Sequence, residues 1–268
     1  MVAILFWNVG QTDDPTTIAE ACSENDIDIL LLAECLIPSA KLVTAINSLR
    51  SKQMFFEHAI GYPTVRFFTR LPSTSITSVS DGRRFSIREV APPIGSPILI
   101  AAAHLPSKLH AGEMEQYFAA RNLRQEIEEA EGRVGHRNSI IIGDLNMNPF
   151  ELGMAALDGL QGVMTKDLAS RPPRSVQGVR SDYFYNPMWS RMGDASAGPP
   201  GTYYYDDSKV VNYRWNTFDQ VLIRPEVFAF YDDDRLRVLT EVGGKSLLSA
   251  IGPGPYSDHL PIAVELKL

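Results

Sequence analysis

The chain has 268 residues, 44% hydrophobic and 21% charged, enough to bury a substantial core in one large domain or two small ones. A net charge of −7 excludes a global basic field for gathering nucleic acid or anionic membrane, and leaves open only a local positive site such as a bound metal ion. Cys22 and Cys35 fall in no CxxC-type spacing, no apolar stretch approaches the roughly 20 residues of a membrane span, and the start runs directly into ILFW without a basic leader, so a disulfide framework, a zinc site, a spanning helix and a signal peptide are not expected and a cytoplasmic location is.

Val2 to Trp7 is an apolar, strand-like run closed by Asn8. Asp14 and Pro15 have the chemistry of an N-cap and first helical position, which predicts a helix to about Asn25. Asp28 to Ala33 reads as a second buried strand, closed by Glu34. A helix from Ser39 to about Ser51 follows, with Leu42, Ala45, Ile46 and Leu49 on one face. Phe55 to Val90 breaks into short strands, with turns at Gly61–Tyr62–Pro63, Leu71–Pro72–Ser73 and Asp81–Gly82. Ile98 to Ala103 is another strand, ending in His104, and Gly112 to about Glu131 carries Met114, Phe118 and Ile127 at helical spacing.

The chain then reaches IIIGDLNMNPFE, residues 140 to 151. Three consecutive Ile residues make a buried strand, and Asp144 and Asn146 stand just past it before Pro149 stops any regular continuation. An unpaired buried carboxylate is costly, so this pair faces a polar cleft and holds something there, or else it is ordinary turn chemistry. Residues 165 to 202 are rich in Pro, Gly, Arg and Ser without a period and read as a loop-rich excursion. Strands are expected again at Thr202–Tyr205, Val210–Trp215 and Phe218–Ile223, the last carrying Asp219, and YSDHLP leads into an alternating IAVELKL edge. With no repeat and no dividing linker, a single domain over residues 1–268 is the expectation.

Asn8, Glu34, His104, Asp144, Asn146, Asp219, Asp258 and His259 thus sit at or beside strand ends across 250 residues. Each alone has a structural reading, as a turn residue, a satisfied histidine or a solvated strand face. Together they point to one rim, because strand ends gather on one rim in α/β architectures.

The segments FWNVG, LLLAE, AAAHLPS, IIGDLNMNP, NTFDQVLI and YSDHLPIAVEL, in that order over almost the whole chain, resemble the endonuclease/exonuclease/phosphatase superfamily, which includes pancreatic deoxyribonuclease, abasic-site endonucleases, sphingomyelinases and inositol-polyphosphate phosphatases. GDxN followed by a distant SDHxP is the specific part of the match. The resemblance implies an α/β four-layer sandwich: two mixed, mostly antiparallel sheets face to face with helices on both outer sides, and a site at one end. It also implies metal-dependent cleavage of a phosphoester. Ala33 departs from the family pattern, where many members have Gln, and this bears on substrate contacts more than on chemistry.

Phosphoester hydrolysis needs charge neutralisation, a positioned water and help for the leaving group, and Mg²⁺ prefers hard oxygen ligands. Glu34 with Asn8 and Asp258 matches the demand for Mg²⁺, or for Mn²⁺ in its place. Asp144 is the candidate to deprotonate water, with Asn146 steadying water or phosphate. His259, oriented by Asp219, binds a phosphoryl oxygen or shuttles a proton, and His104 contacts the phosphate from the other side.

The expected substrate is nucleic acid. The alternatives are a small-molecule or lipid phosphoester, or a catalytically silent binding module, against which the intact polar set argues. No membrane span and no protein partner is expected. Among the aromatic and basic residues from Ser181 to Trp215, Tyr185, Trp189 and Arg191 are the candidates for base stacking and phosphate contact, with ordinary packing as the competing reading for at least half of the rings. Trp215 and one alternate face of Tyr203–Tyr205 are the expected core members.

Overall fold

Apolar runs with no polar alternation are strands buried on both faces, and the two sheets of this protein are built around them. A computed structural model describes residues 1–10, 12–49, 55–58, 64–206, 213–250, 252–254 and 256–268. The first half of the chain gives β1 (Val2–Asn8), α1 (Pro15–Glu24), β2 (Ile29–Ala33), α2 (Ser39–Ser48), β3 (Phe56–Glu57), β4 (Val65–Thr69), β5 (Ile76–Asp81), β6 (Phe85–Val90), β7 (Ile98–His104) and α3 (Glu113–Val134). The second gives β8 (Ser139–Asp144), α4 (Leu152–Ala155), β9 (Gly162–Val163), α5 (Lys166–Ala169), β10 (Arg174–Val176), β11 (Val179–Ser181), β12 (Phe184–Tyr185), β13 (Tyr203–Tyr204) and β14 (Trp215–Asn216). It ends with β15 (Asp219–Ile223), β16 (Tyr231–Val238), β17 (Glu241–Val242), β18 (Lys245–Ser246) and β19 (Ile262–Leu266).

One sheet has the order β16-β19-β1-β2-β4-β3, the other β5-β6-β7-β8-β15-β12-β9. Strand alternation sorts their side chains into three apolar layers. Ile4 and Phe6 of β1, Leu31 of β2, Ile100 of β7, Ile142 of β8 and Val221 of β15 meet between the sheets. Leu5 and Trp7 of β1 and Leu30 of β2 point the other way, onto Ile18 of α1 and Leu42 and Ile46 of α2. Leu99 of β7 and Ile141 of β8 pack on Leu123 and Ile127 of α3. The result is the expected four-layer sandwich, helices outermost.

Two parallel crossovers place the strand ends that matter. β1 and β2 are parallel with Asn8 opposite Ala33, and β7 and β8 are parallel with His104 opposite Asp144. The antiparallel β15 begins at the same rim, Asp219 opposite Asp144. Gly143 permits the close approach there: a Cβ on it would fall 2.0 Å from the Ala103 carbonyl oxygen.

Several expectations are revised. The IAVELKL strand is interior, between β1 and β16, and the edge is β16, whose YDDDRLRV sequence has weak strand propensity. Met114 and Phe118 of α3 are about half exposed, because the buried stripe runs through Gln116, Ala120, Leu123 and Ile127 instead. The excursion at 165–202 contributes β12 to the second sheet. The expected turn at Gly61–Tyr62–Pro63 and the first half of the strand expected at Val210–Trp215 lie outside the described residues. No described helix is long and apolar enough to cross a membrane.

Candidate active site

The two sheets are joined at their shared rim by polar side chains. Asn8 Nδ2, at the end of β1, donates to Glu34 Oε1 at 3.3 Å and, across the sandwich, to Asp144 Oδ2 at 3.0 Å. Its Oδ1 accepts from the Gly10 N–H. Asp144 is 1% exposed, and its other oxygen accepts from the Asn146 N–H at 3.0 Å. His104 Nε2 lies 3.4 Å from Glu34 Oε1 and 3.7 Å from Asp144 Oδ2, and His259 Nε2 lies 3.8 Å from the same Asp144 oxygen.

His259 is fixed from three directions. Its carbonyl accepts from Trp7 Nε1, its N–H donates to Ser257 Oγ, and its Nδ1 is 2.8 Å from Asp219 Oδ2. Ser257 Oγ in turn donates to the Asn8 carbonyl, tying this loop to β1. Burial alone would lower the pKa of the imidazole, but the carboxylates of Asp219 and Asp144 outweigh it and push it up to about 10. His259 is therefore an imidazolium at neutral pH, with Nε2–H a donor aimed at the cleft. Asp219, fully buried, has its N–H bonded to Thr202 Oγ1, and burial pushes its carboxyl up against the pull of His259.

Two of the six described non-glycine residues with positive φ belong to this rim. Glu34 (φ 54°) and Asn146 (φ 52°) both occupy the left-handed region. For a glutamate this is an uncommon conformation, costing of order 1 kcal/mol or more, and it is sustained where the surrounding structure over-determines it. Asn146 is held by its Nδ2 donating to the Leu105 carbonyl and by Gln116 Nε2 donating to its own carbonyl.

A cleft of about 450 Å³ opens over these groups, lined by Asn8, Glu34, Asp144, Asn146, Asp258 and His259 on the polar side. Tyr203, Tyr205 and Phe218 form its aromatic wall, with Ser107, Lys108, Leu109 and Asn216 completing it. The Tyr203 ring is near-parallel to Tyr205 (6.4 Å, 12°) and to Phe218 (5.2 Å, 21°), and lies 4.6 Å from the His259 ring.

The donor set fits a hard divalent cation. Glu34, Asp144 and Asp258 put three carboxylates on one cleft, a mutual repulsion that a divalent cation relieves. Oxygen donors without cysteine suit Mg²⁺ or Mn²⁺ rather than zinc. Asp144, Asp219 and His259 also place one ligand atom each within 4.8 Å of one another, but Asp219 Oδ2 and the His259 Nδ1 are already bonded to each other, and the group is buried throughout. Glu34, whose side chain is 46% exposed, is the better anchor.

Sequence reasoning thus named residues that the structure brings together: Asn8, Glu34, His104, Asp144, Asn146, Asp219, Asp258 and His259. It does not bring Tyr185, Trp189 or Arg191 to them. Tyr185 pairs with Ile223, at the opposite end of β15 from Asp219; it is buried against Phe228 and Tyr231, and its hydroxyl donates to Asp233. Trp189 donates to the Gly162 carbonyl and packs on Phe150. The Arg191 guanidinium is spent on the Asp233 and Leu236 carbonyls. The aromatic residues at the cleft are Tyr203, Tyr205 and Phe218, while Tyr204 turns away onto Trp215, as strand alternation requires. Lys108 and Gln116 were missed; the one available signal was their nearness to His104 and to the start of α3.

The endonuclease/exonuclease/phosphatase family model matches residues 5–259. No curated protein matches the chain by sequence. Among solved structures, a mannosyl-6-phosphatase of Bacteroides thetaiotaomicron is similar at 14% identity over 99% of both chains (TM-score 0.60). D. rerio TDP2, humanized by 14 mutations, is similar at 16% identity over 100% of this chain and 99% of that one (TM-score 0.57). ANGEL2, described as a 2′,3′-cyclic phosphatase, is similar at 13% identity over 100% of this chain and 95% of its own (TM-score 0.61).

Proposed function

The chain belongs to the endonuclease/exonuclease/phosphatase family and is a metal-dependent phosphoric ester hydrolase, and from that premise we propose that its cleft hydrolyses phosphodiesters of nucleic acid with Mg²⁺ as the cation. The observation that carries this reading is the convergence of Asp144 Oδ2 and His259 Nε2, 3.8 Å apart, beside Glu34 and Asn8, with an aromatic wall next to them. The half-buried rings of Tyr203 and Tyr205 suit an unstacked base, with the buried Phe218 packed behind Tyr203.

When bound, the cation supplies charge neutralisation on the phosphoryl oxygens. Glu34 and Asn8, with Asp258 facing the same cleft, would hold it. Asp144 accepts the proton of the attacking water; its Oδ1, engaged by the Asn146 N–H, fixes the plane of the carboxylate and leaves Oδ2 facing the cleft. Asn146 also steadies the water or a phosphoryl oxygen. His259 donates from Nε2–H to a phosphoryl oxygen, where charge builds in the transition state, and Asp219 keeps Nδ1 protonated and the ring aligned. His104 reaches the phosphate from the Glu34 side, as the donor or general acid that gives the leaving oxygen its proton when the scissile P–O bond breaks.

A second reading, hydrolysis of a small phosphoester, is favoured by one observation: against three carboxylates the described cleft offers a single lysine. The test is a panel of plasmid, single strands, RNA, abasic oligonucleotide, inositol phosphates and sphingomyelin, each with Mg²⁺, Mn²⁺ or chelator, for wild type and Glu34→Ala. Metal-dependent cleavage of nucleic acid, lost in the variant, is the expected result. Turnover that survives both chelation and Glu34→Ala removes the metal-site reading, and turnover of inositol phosphate or sphingomyelin alone selects the second one.

A further inference from the structure

Proteins that hold long nucleic acids do so chiefly by neutralising successive phosphates with Lys and Arg. This cleft is built on a different balance. Among its described lining residues, Glu34, Asp144 and Asp258 are acidic, and Lys108 is the one lysine, with no arginine beside it. Lys108 Nζ is itself paired with Glu151 and bonded to Gln116 Oε1 at 3.3 Å, so a second phosphate would have to compete for it. The cleft volume, about 450 Å³, lies near the small-ligand end of the usual range of about 300–1,000 Å³. Its apolar side is the ring series Tyr205, Tyr203 and Phe218, whose middle member Tyr203 lies 4.6 Å from the His259 ring.

We infer that the cleft takes one nucleoside phosphate unit at a time, its base flat against the Tyr203–Tyr205 wall, with the scissile phosphate the only one gripped. This rests on the nucleic-acid reading above and narrows it to terminal nucleotides or small nucleotide esters, read by stacking and not by a run of phosphates. Tyr205 is the position to alter, because Tyr203 also supports His259.

The test is calorimetric titration of the Asp144→Asn protein, whose turnover is suppressed, in Mg²⁺ with thymidine 5′-monophosphate, deoxyribose 5-phosphate and a single strand of roughly ten nucleotides. The nucleotide should bind about tenfold tighter than the sugar phosphate, an advantage erased by adding Tyr205→Ala and kept by Tyr205→Phe. The single strand should gain no more than about threefold over the mononucleotide, and its log–log salt slope should be shallower than about −1. Sugar phosphate binding as tightly as the nucleotide, or affinity climbing with strand length at a slope of about −3 or steeper, overturns the inference. The comparison of nucleotide with sugar phosphate needs no Tyr205 variant, so it decides even if Tyr205→Ala does not fold. Cleavage of nucleic acid without a base preference overturns this inference alone. A base preference in a wild-type protein that cleaves no nucleotide ester supports it and overturns the proposed function, and binding of none of the three probes overturns this inference.

Discussion

Replacing Asp219 with asparagine keeps the shape of the group beneath His259 and removes its charge. In the wild type the imidazole is pushed up from 6.5 to about 10, and Asp219 is the leading favourable charge. At about 1.4 kcal/mol for each tenfold change in proton affinity, that is about 5 kcal/mol in favour of the charged ring. It is an upper bound on the stability involved, because burying the pair itself costs several kcal/mol. A raised histidine contributes stability that is fully present below its unfolded pKa, near 6.5, and is lost as pH rises through about 10. Denaturant unfolding of the metal-free protein should therefore show wild type losing stability between pH 6.5 and 10 through this pair, while Asp219→Asn starts lower and varies less. NMR titration of the His259 ring should find its midpoint fallen toward 6.5 in the variant. Turnover of the metal-loaded variant should drop by roughly 10²- to 10⁴-fold, since Nε2–H is no longer guaranteed as a donor. A wild-type ring that already titrates near 6.5, or a variant ring that does not move, would refute the argument.

Three other outcomes are expected. Asp144→Asn should leave the melting temperature close to wild type and lower kcat roughly 10²- to 10⁴-fold, and combining it with His259→Ala should cost far less than the product of the single losses, which steady-state kinetics on the three proteins would check. Gly143→Ala should destabilise by about 2 kcal/mol or more in urea unfolding, because its Cβ would meet the Ala103 backbone and β7 and β8 must part. Tyr185→Ala should cost about 3–5 kcal/mol of stability, by analogy with other buried aromatic deletions, and leave KM for any substrate unchanged; a changed KM with an unchanged melt would return Tyr185 to the cleft.

The strand ends were legible because an apolar run closed by one polar residue is a local pattern: Asn8, Glu34, His104 and Asp144 close such runs, and they meet at one rim with Asn146, Asp219, Asp258 and His259. What brings them together is not local. Nothing in FWN or IIGD states that Asn8 will reach across the sandwich to Asp144, because that depends on how two sheets stack. Nor does LLLAE announce that Glu34 takes a left-handed backbone, a conformation that side-chain chemistry does not favour. Tyr185 and Tyr205 look alike in sequence, and only their places in the fold decide that one is buried on β12 while the other, just past β13, lines the cleft. The acidic strand β16 was hidden for a related reason: Asp232, Asp233 and Asp234 have poor strand propensity and fall in the irregularity between Tyr231 and Leu236, and it is the pairing of those flanking residues with β19 that makes the strand.

The placement of β19 also bears on how the chain acquires its shape during synthesis. β1, made first, has β2 on one side, but its other hydrogen-bonding edge is filled by residues 262–266, made some 250 positions later. Until then a strand with all seven residues destined for burial presents an open edge, the kind of surface that recruits other chains. Such non-local closure slows folding, because the entropy of the long loop must be lost before the pairing is gained. The same step docks the His259 loop on Asn8 and Trp7. Nascent chains that lack the final strand should therefore be both aggregation-prone and inert, and chaperone dependence should be concentrated in that interval.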